Sequence, residues 1–513
     1  MSRSRAILLL AVVLAAAGTL VAARLGAQSL WIDEAITLVP VTAADGPADL
    51  VARVRRLDSQ PPASHLLLYA LRDLLPQDEV GWRLPSLLAA EIGILLLALT
   101  SGRLLGPFGL LAAGVCAQAS PYLLFYAMEA RNYALWFLAV AASTYALTRC
   151  LEAIAAHRPA REVAPWAAAW AIANGLGLWT HLFHLFALVV QAVVLAGLAW
   201  RLRPPREVAR RAAAWSAAAF AGSAVIVLPW LVTVLRAFGV ARGVGWTRPF
   251  SAAGLAYFPF ALVFGFSLGP DLRELHVHGP RQLLTGHPMA LGLGSVSLLF
   301  LGAGLWSLLR GERSVPAGQF QETIDAAAPV LFLVAPAAGL LGPLLFAEVR
   351  GFPLVPRHLM FLWPLVPLLQ AYIAARSPRF RPALAAIVAL QITACGSLLF
   401  DPVYAKDDER GAIRYAEARS GSRPVVLGDA APLYTARGLG LMKAFTDPKS
   451  DAVLGSGATD LWLVDNRPWE DPEGNLRTKA AQAAALLGLE PAGDHEQFRG
   501  LVLRHWRRAE VAR

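Results

Sequence analysis

The sequence predicts an α-helical polytopic membrane protein of about 11 transmembrane helices, followed by a small C-terminal α/β domain. Hydrophobic residues make up 56% of the 513 residues and charged residues only 16%, whereas soluble chains contain about 45–50% apolar and about 25% charged residues. The apolar residues are gathered in runs of roughly the 20 residues that a helix needs to cross a bilayer. Most of the chain is therefore predicted to lie in lipid.

These apolar runs fall within residues 1–400. The first follows Ser2-Arg3-Ser4-Arg5 and is longer than the apolar core of a signal peptide, so we expect a retained membrane helix. A shorter apolar segment, 255–268, contains Pro259 and suits an interfacial or re-entrant helix better than a full span. The eleven predicted spans are 6–26, 84–103, 108–127, 133–151, 165–181, 183–200, 213–236, 289–309, 327–347, 358–375 and 383–400.

Arginines in the short loops predict the orientation. Those in the loops around 103, 149–161, 201–211, 310–313 and 376–381 all fall on the side of the N-terminus. Because short positively charged loops stay in the cytoplasm, the N-terminus is predicted to be cytoplasmic and the protein to lie in the inner (plasma) membrane. An odd number of spans then leaves three segments outside, which are a first loop over 27–83, a second long loop over 237–288 and the tail 401–513.

The basic balance and the cysteines exclude two other classes of site. The formal charge is +10, but the basic residues are scattered through loops and form no stripe, so membrane orientation explains them better than nucleic-acid binding. Cys116, Cys150 and Cys395 lie inside apolar runs without metal-ligand spacing. Neither a disulfide framework nor a zinc site is predicted.

The tail differs in composition from the rest of the chain. Short β-like runs at 424–427, 461–464 and 501–503 alternate with helical stretches at 408–419 and 478–487. This alternation predicts a small α/β domain. It has no glycine-rich phosphate loop, so we assign it no catalysis.

Two adjacent carboxylates, Asp33 and Glu34, follow the first predicted helix. Carboxylates at a membrane boundary are costly to bury and are usually paired or functional. The spacing alone favours a simpler interpretation, in which Asp33 caps a helix and Glu34 lies in its first turn.

Further ionisable residues are predicted on the same outer face as this pair. Taken singly, each has a structural explanation, since a neighbouring Glu and Arg can neutralise each other and histidines are common at membrane interfaces. Arginines on the outer side run against the usual orientation bias, and a guanidinium suits phosphate because it binds in a bidentate manner and stays charged. The set therefore predicts a bound anion. Its members are His65, Arg83, Glu129, Arg131, His181 and Arg357, with Arg242 and Arg248 in the second long loop.

In their order along the chain, these motifs resemble the GT-C glycosyltransferases, specifically the branch of protein O-mannosyltransferases and lipid A aminoarabinose transferases. The likeness covers about residues 1–400. The motifs that carry it are Trp31-Ile32-Asp33-Glu34, Gln60-Pro61-Pro62, Arg83-Leu84-Pro85-Ser86, Glu129-Ala130-Arg131-Asn132-Tyr133 and Pro356-Arg357-His358.

The resemblance implies an integral membrane inverting glycosyltransferase. It would take a sugar from a polyprenyl-phosphate donor and transfer it, on the non-cytoplasmic face, to a lipid, glycan or protein. Asp33 and Glu34 would be the catalytic pair, with Asp33 as the general base on the acceptor hydroxyl. Such a displacement needs a carboxylate for the nucleophile's proton and positive charge beside the leaving phosphate.

The resemblance also assigns expected roles to the other members of the set. Arg131 and Arg357, together with Arg83, are candidates for the donor phosphate. Glu129, His65 and His181 are candidates for shaping the site, with a divalent cation in some relatives.

One departure weakens the expectation of a metal. Aminoarabinose transferases carry a Glu-Lys pair before the two prolines, where this chain has Ser59-Gln60. One metal ligand and one phosphate contact of that family are thus missing.

A secondary transporter is the alternative function. It predicts ionisable groups deep in the membrane, where Glu91 is the only evident acid. A C-terminal binding module on a membrane anchor ranks last, since eleven spans exceed what anchoring needs.

Overall fold

The computed structural model is mostly helical, with one small sheet near the C-terminus. It describes residues 2–57, 60–240, 252–271, 285–310, 327–350, 354–420, 424–439, 457–466 and 474–508, with residues 274–275, 282 and 325 between them. Ser59, Arg242 and Arg248 lie outside the described residues. Much of the predicted second long loop does so too.

The helices of the described residues are numbered α1 to α18. A π-helical turn, Val330–Val334, leads into α13, and short 3₁₀ turns include Pro356–Leu359 and Pro402–Tyr404. The bounds are α1 Arg3–Ala22, α2 Ile32–Ala43, α3 Pro47–Leu57, α4 Ala63–Leu71, α5 Glu79–Gln118, α6 Pro121–Ala127, α7 Tyr133–Ala155, α8 Ala160–Thr180, α9 His184–Leu202, α10 Arg206–Val240, α11 Ala252–Phe264, α12 Pro288–Leu309, α13 Ala335–Arg350, α14 Leu365–Arg376, α15 Arg381–Phe400, α16 Glu409–Arg419, α17 Ala431–Tyr434 and α18 Asn475–Leu486.

Helix α5 is a hairpin of two helical arms, although its 40 residues form one continuous element. The chain reverses at Gly106, whose φ of +77° and ψ of −167° are open only to glycine. Ser101 Oγ donates to the carbonyl of Gly109 at 2.8 Å, so the two arms pack against each other. These arms correspond to the predicted runs 84–103 and 108–127, the second of which ends early where Ser120 caps α6.

Eight helical units of the described residues are long and apolar enough to cross a membrane. They are α1, α5, α7, α9, α10, α12, the 327–349 unit that includes α13, and α15 with its preceding turn. The chain is thus a multi-pass membrane protein, but the predicted number of about eleven spans is not confirmed. The difference comes from α5, which is one unit with two arms, from the less apolar α8, and from α14, which has only 12 residues.

Two predicted loop segments contain helices. The first outer loop folds into α2, α3 and α4, of which α2 contacts both of the others. The short apolar segment forms α11, which has 13 residues and is followed by Gly265 at a φ of +65°. A 13-residue helix reaches only about 20 Å, which is less than a bilayer core.

The C-terminal region forms a five-stranded sheet in the order β2-β1-β3-β5-β4. Strand β1 pairs in parallel with β2 and β3, while β5 pairs antiparallel with β3 and β4. The two faces alternate as a buried strand requires: Val425 packs with the residues of α18, whereas Val426 packs with those of α16. The predicted small α/β domain is therefore present. The strands are β1 Pro424–Leu427, β2 Gly438–Leu439, β3 Asp460–Asn466, β4 Leu489–Phe498 and β5 Leu501–Arg508.

This C-terminal region is docked on the helix ends near the first outer loop. The Arg410 guanidinium forms an ion pair with Glu79 at 2.9 Å, and Tyr434 Oη donates to the same carboxylate at 2.8 Å. The same Tyr434 hydroxyl accepts from the backbone N–H of Leu30 at 2.6 Å. These contacts hold the first turn of α16 and the end of α17 against the start of α5 and against Leu30, just before α2.

Candidate active site

The two adjacent carboxylates lie in the first turn of α2 and point to different surroundings. Trp31 is the N-cap residue, and no side chain makes a capping hydrogen bond there. The interpretation of Asp33 as a helix cap is therefore wrong, because Asp33 and Glu34 are the second and third residues of the helix. The Asp33 side chain is 17% exposed and that of Glu34 is fully buried.

Asp33 is paired with Arg357. The distance from Arg357 Nη1 to Asp33 Oδ2 is 2.9 Å, across 324 residues of sequence. The turn that carries Arg357 is fixed by Tyr122, whose hydroxyl donates to the carbonyl of Pro356 at 2.9 Å. Arg357 Nε is buried and has no hydrogen-bond partner among the described residues. This pair thus combines a partly exposed carboxylate with an unused guanidinium donor.

The turn between α6 and α7 holds the first turn of α2 from a second side. Arg131 Nη1 donates to the carbonyl of Asp33 at 2.9 Å and to Thr37 Oγ1 at 3.0 Å. The backbone N–H of Ala130 donates to Glu34 Oε1 at 2.9 Å. Arg131 therefore orients the helix that carries both carboxylates.

Arg83 is fully committed to structure. Both its side chain, 1% exposed, and its Glu34 partner are buried, and they form a bidentate pair at 2.8 and 2.7 Å. Its remaining N–H groups donate to the carbonyls of Leu25, Gln28 and Ser29. Since a guanidinium has five N–H donors and all five are engaged, Arg83 has none left for a phosphate. The structure argues against the phosphate role expected for this residue.

Glu34 is committed in the same way. Burial opposes its ionisation, but the charges of Arg83 and Lys406, with hydrogen bonds from Arg83 and Ala130, outweigh that and lower its pKa to about 2. A carboxylate with so low a pKa and no exposed oxygen is a poor proton acceptor. The structure favours a structural role for Glu34 over the catalytic one expected from the sequence.

Glu129 is buried and shares a cation with Glu34. Lys406 Nζ lies 3.4 Å from Glu34 Oε2 and 3.5 Å from Glu129 Oε1. Burial raises the pKa of Glu129 to about 7, with the negative charges of Glu34 and Asp33 adding to the effect and Lys406 opposing it. We use the name carboxylate cluster for Glu34, Arg83, Glu129 and Lys406.

Lys406 is the functional candidate that the sequence analysis missed. It lies in the first residues of the tail 401–513, just before α16, with no motif around it, and its side chain is 3% exposed. The only sequence signal was a lysine close after the last apolar run. Its importance depends on a contact across 278 residues, to the carbonyl of Met128.

The two predicted histidines lie in different positions. His181 follows α8 and stacks on Trp136, with ring centroids 3.9 Å apart. Its Nδ1 accepts from the N–H of Phe183, which leaves the proton on Nε2, a buried atom with no hydrogen-bond partner among the described residues. Burial, with the charges of Arg131 and Arg357, lowers the pKa of His181 well below its usual value. His65 is buried on α4, which packs against α2.

Glu91, the acid on which the transporter alternative depends, lies in α5 and accepts a hydrogen bond from Gln118 at 3.0 Å. The two residues join the two arms of the helical hairpin. This contact explains Glu91 as a packing partner between helices.

Comparison with known proteins agrees with the fold predicted from the motifs. No protein-family model matches the sequence, and no curated protein matches it. Among solved structures, ArnT from Cupriavidus metallidurans in the apo state matches over 96% of this chain and 97% of that chain, with a TM-score of 0.51 and 15% identity. ArnT from the same organism bound to undecaprenyl phosphate matches over the same shares, with a TM-score of 0.48 and 13% identity. The chain has an ArnT-like fold over nearly its whole length.

Proposed function

We propose that this chain is an integral membrane inverting glycosyltransferase that moves a sugar from a polyprenyl-phosphate donor to an extracytoplasmic lipid, glycan or protein. The observation that carries the proposal is the Asp33–Arg357 pair, in which a partly exposed carboxylate lies 2.9 Å from a guanidinium whose buried Nε has no hydrogen-bond partner in the part of the chain that the structure describes. The ArnT-like fold supports it. A donor whose lipid tail stays in the bilayer requires a site at the membrane boundary.

Asp33 acts as the general base. It accepts the proton of the acceptor hydroxyl as that oxygen attacks the anomeric carbon, and the bond from this carbon to the phosphate oxygen breaks. One such group contributes about 10²–10⁴ in rate. Because the attack comes from the side opposite the phosphate, the product has inverted stereochemistry.

Arg357 binds the leaving phosphate. The phosphate gains charge as the bond breaks, and Arg357 Nε, which has no partner among the described residues, is the donor available to it. A fixed positive group stabilises the developing charge without reorganising. His181 Nε2–H is a second donor, and it is neutral because burial and the nearby charge of Arg357 lower the pKa of its ring. Arg131 positions α2 through its bonds to Asp33 and Thr37.

The test compares Asp33→Asn with Asp49→Asn in membranes supplied with radiolabelled polyprenyl-phosphate sugars. Asp49 lies in the first turn of α3, in the same outer loop, where it forms an ion pair with Arg53 at 2.7 Å and accepts from the N–H of Asp45 at 3.2 Å. We expect Asp33→Asn to lower transfer by about 10²–10⁴-fold at normal expression, and Asp49→Asn to retain it. Full activity of Asp33→Asn would refute the base assignment.

Counterflow of labelled solute in proteoliposomes separates transfer from transport. We expect no counterflow in the wild type. Counterflow without transfer would favour the secondary transporter instead.

We further propose that residues 1–400 form the catalytic membrane domain and that residues 401–513 lie outside the cytoplasm. Arg414, an exposed residue of α16, offers a position for a test. Arg414→Cys should react with a membrane-impermeant maleimide in spheroplasts without lysis. Labelling only after lysis would place the C-terminal region in the cytoplasm.

A further inference from the structure

We propose that Lys406 takes the place of a divalent cation in this site, so that the segment leading into the C-terminal domain completes the carboxylate cluster with a built-in ammonium. The inference deepens the proposed function and rests on it only for its activity measurements. The ammonium lies in space between Glu34 on α2 and Glu129 in the turn before α7.

The position of the ammonium is the first observation. Lys406 Nζ lies between Glu34 and Glu129, at 3.4 and 3.5 Å from one oxygen of each, and donates to the carbonyl of Met128 at 3.2 Å. It also lies 5.5 Å from the ring centroids of Trp31 and Phe125. Two carboxylates, a carbonyl and two aromatic rings form a complete set of partners for a buried ammonium.

The residues of the cluster do not fit a divalent cation. Zinc and magnesium require three or more protein or water ligands at about 2.0–2.2 Å. Glu34 already holds Arg83 through both oxygens, and among the described residues no three His, Cys, Asp or Glu side chains are grouped so that they could hold a metal ion. Aminoarabinose transferases, which the sequence resembles, have a Glu-Lys pair directly before the two prolines, and this chain has Ser59-Gln60 there.

The charges lead to the same inference. Glu34 and Glu129 carry up to two negative charges, and Arg83 and Lys406 carry two positive ones, so the cluster is close to neutral. Buried charges need this balance, because an uncompensated one costs several kcal/mol. A divalent cation added to the cluster would leave a buried excess of positive charge.

The backbone around Lys406 is fixed from two sides. Its N–H donates to Gln28 Oε1 at 3.2 Å, and its carbonyl accepts from Arg499 Nε at 2.8 Å. The next carbonyl, that of Asp407, accepts from Ser29 Oγ. The C-terminal domain, through Arg499, and the start of the first outer loop therefore hold the lysine in place together.

The first experiment measures metal binding and is independent of transferase activity. The purified full chain is analysed for bound metal by mass spectrometry, and its melting temperature is compared with and without EDTA, Mn²⁺ and Zn²⁺. We expect less than one-tenth of a metal ion per chain and no shift in melting temperature. A stoichiometric metal whose removal lowers the melting temperature would overturn the inference, even if the transferase proposal holds.

The second experiment replaces the ammonium. Lys406→Ala should lower transfer at least tenfold, and added methylammonium should restore part of it, because a small cation can enter the space left by the side chain. Mg²⁺ and Mn²⁺ should restore none. The exposed Lys479→Ala on α18 is the matched control and should behave as the wild type.

The outcomes separate the two proposals. A wild type without transfer would argue against the proposed function and leave the metal measurement valid. An active wild type with an equally active Lys406→Ala, or a variant rescued by Mn²⁺ and not by methylammonium, would overturn the role of Lys406. If Lys406→Ala does not fold, melting temperatures of other variants provide the test. Lys406→Arg must melt within a few degrees of the wild type. Lys406→Met must melt at a lower temperature than the wild type, and the double variant Lys406→Met with Glu129→Gln must recover part of that loss.

Discussion

The carboxylate cluster and the Asp33–Arg357 pair begin at neighbouring residues of one helix turn, yet they differ in burial and in the number of engaged donors. In the cluster, Glu34 is fully buried and all five donors of Arg83 are engaged. In the pair, Asp33 is 17% exposed, Arg357 is 34% exposed, and Arg357 Nε has no partner among the described residues. A saturated group stabilises a fold, whereas an accessible group with an unused donor is able to bind and react. Adjacent acids in a motif need not share a role.

The largest expected effect tests the cluster. Glu34→Gln leaves the Arg83 guanidinium buried without its counter-ion, and removing one partner of a buried ion pair costs about 3–5 kcal/mol. We expect a strongly lowered melting temperature in detergent and poor expression. Asp33→Asn, next to it and partly exposed, should change the melting temperature little.

A double variant controls for lost packing. Glu34→Gln with Arg83→Met removes both charges and should recover part of the stability that the single variant loses. If Glu34→Gln melts at the wild-type temperature, the cluster does not stabilise the fold and the contrast with Asp33 fails.

The next effect tests the pair. Arg357→Gln removes the charge that faces the leaving phosphate, and the loss of one such group lowers turnover by about 10²–10³-fold. Arg357→Lys keeps the charge but loses the planar donor array, so an intermediate rate is expected. Steady-state transfer with varied donor gives kcat and KM for each variant. An unchanged kcat in Arg357→Gln would place the phosphate elsewhere.

The sequence was sufficient for the parts of the fold that depend on local patterns. Apolar runs predicted the helices, and short β-like runs predicted β1, β3 and β5. It missed β4, because residues 489–498 are mostly polar and contain Pro491. This strand lies at the edge of the sheet, where it pairs with β5. The sequence analysis also missed α3 in the first outer loop, because Asp49 and three arginines interrupt the apolar residues of this helix.

Most members of the candidate site were predictable from the sequence, but their roles were not. The predicted topology alone indicated that Asp33, Glu129 and Arg357 share one membrane face, because each lies at the outer end of a predicted span. The division of labour between Asp33 and Glu34 depends on which side of α2 each faces after packing. Lys406 carried no local signal, since the partners of its ammonium lie far away in the sequence, for example Met128 at a separation of 278 residues. Long-range charge pairing of this kind has no counterpart in residue spacing.

A smaller effect concerns pH. Burial raises the pKa of Glu129 from its ordinary 4.5 to about 7, so the folded state binds more protons than the unfolded state between these values. The stabilisation is therefore complete below pH 4.5 and is lost as pH rises through 7, by up to about 1.4 kcal/mol per pH unit. Melting temperature should fall from pH 5 to 7 more steeply in the wild type than in Glu129→Gln.

The effect of Glu129 is given by the difference in slope between the wild type and Glu129→Gln. Glu409, whose pKa burial raises to about 8, gives a slope of the same sign in both and cancels. If the melting temperatures of the wild type and Glu129→Gln fell in parallel with pH, Glu129 would have an ordinary pKa. The positive charge of Lys406 would then offset the effect of burial on the Glu129 carboxylate.

The smallest effect distinguishes His181 from the charged members of the site. His181→Phe keeps a flat ring to stack on Trp136, where the centroids are 3.9 Å apart and the planes 4° apart, but it removes the Nε2–H donor. A neutral hydrogen bond contributes about 0.5–1.5 kcal/mol, so we expect transfer to fall by about 2–12-fold at an unchanged melting temperature. Because the pKa of His181 is far below its usual value, the ring is neutral near pH 6 and pH 8 alike, and the factor should be equal at both. A factor that grows toward pH 6 would mean that His181 becomes charged, which would make it a second cation facing the phosphate and remove the distinction between a neutral donor and Arg357.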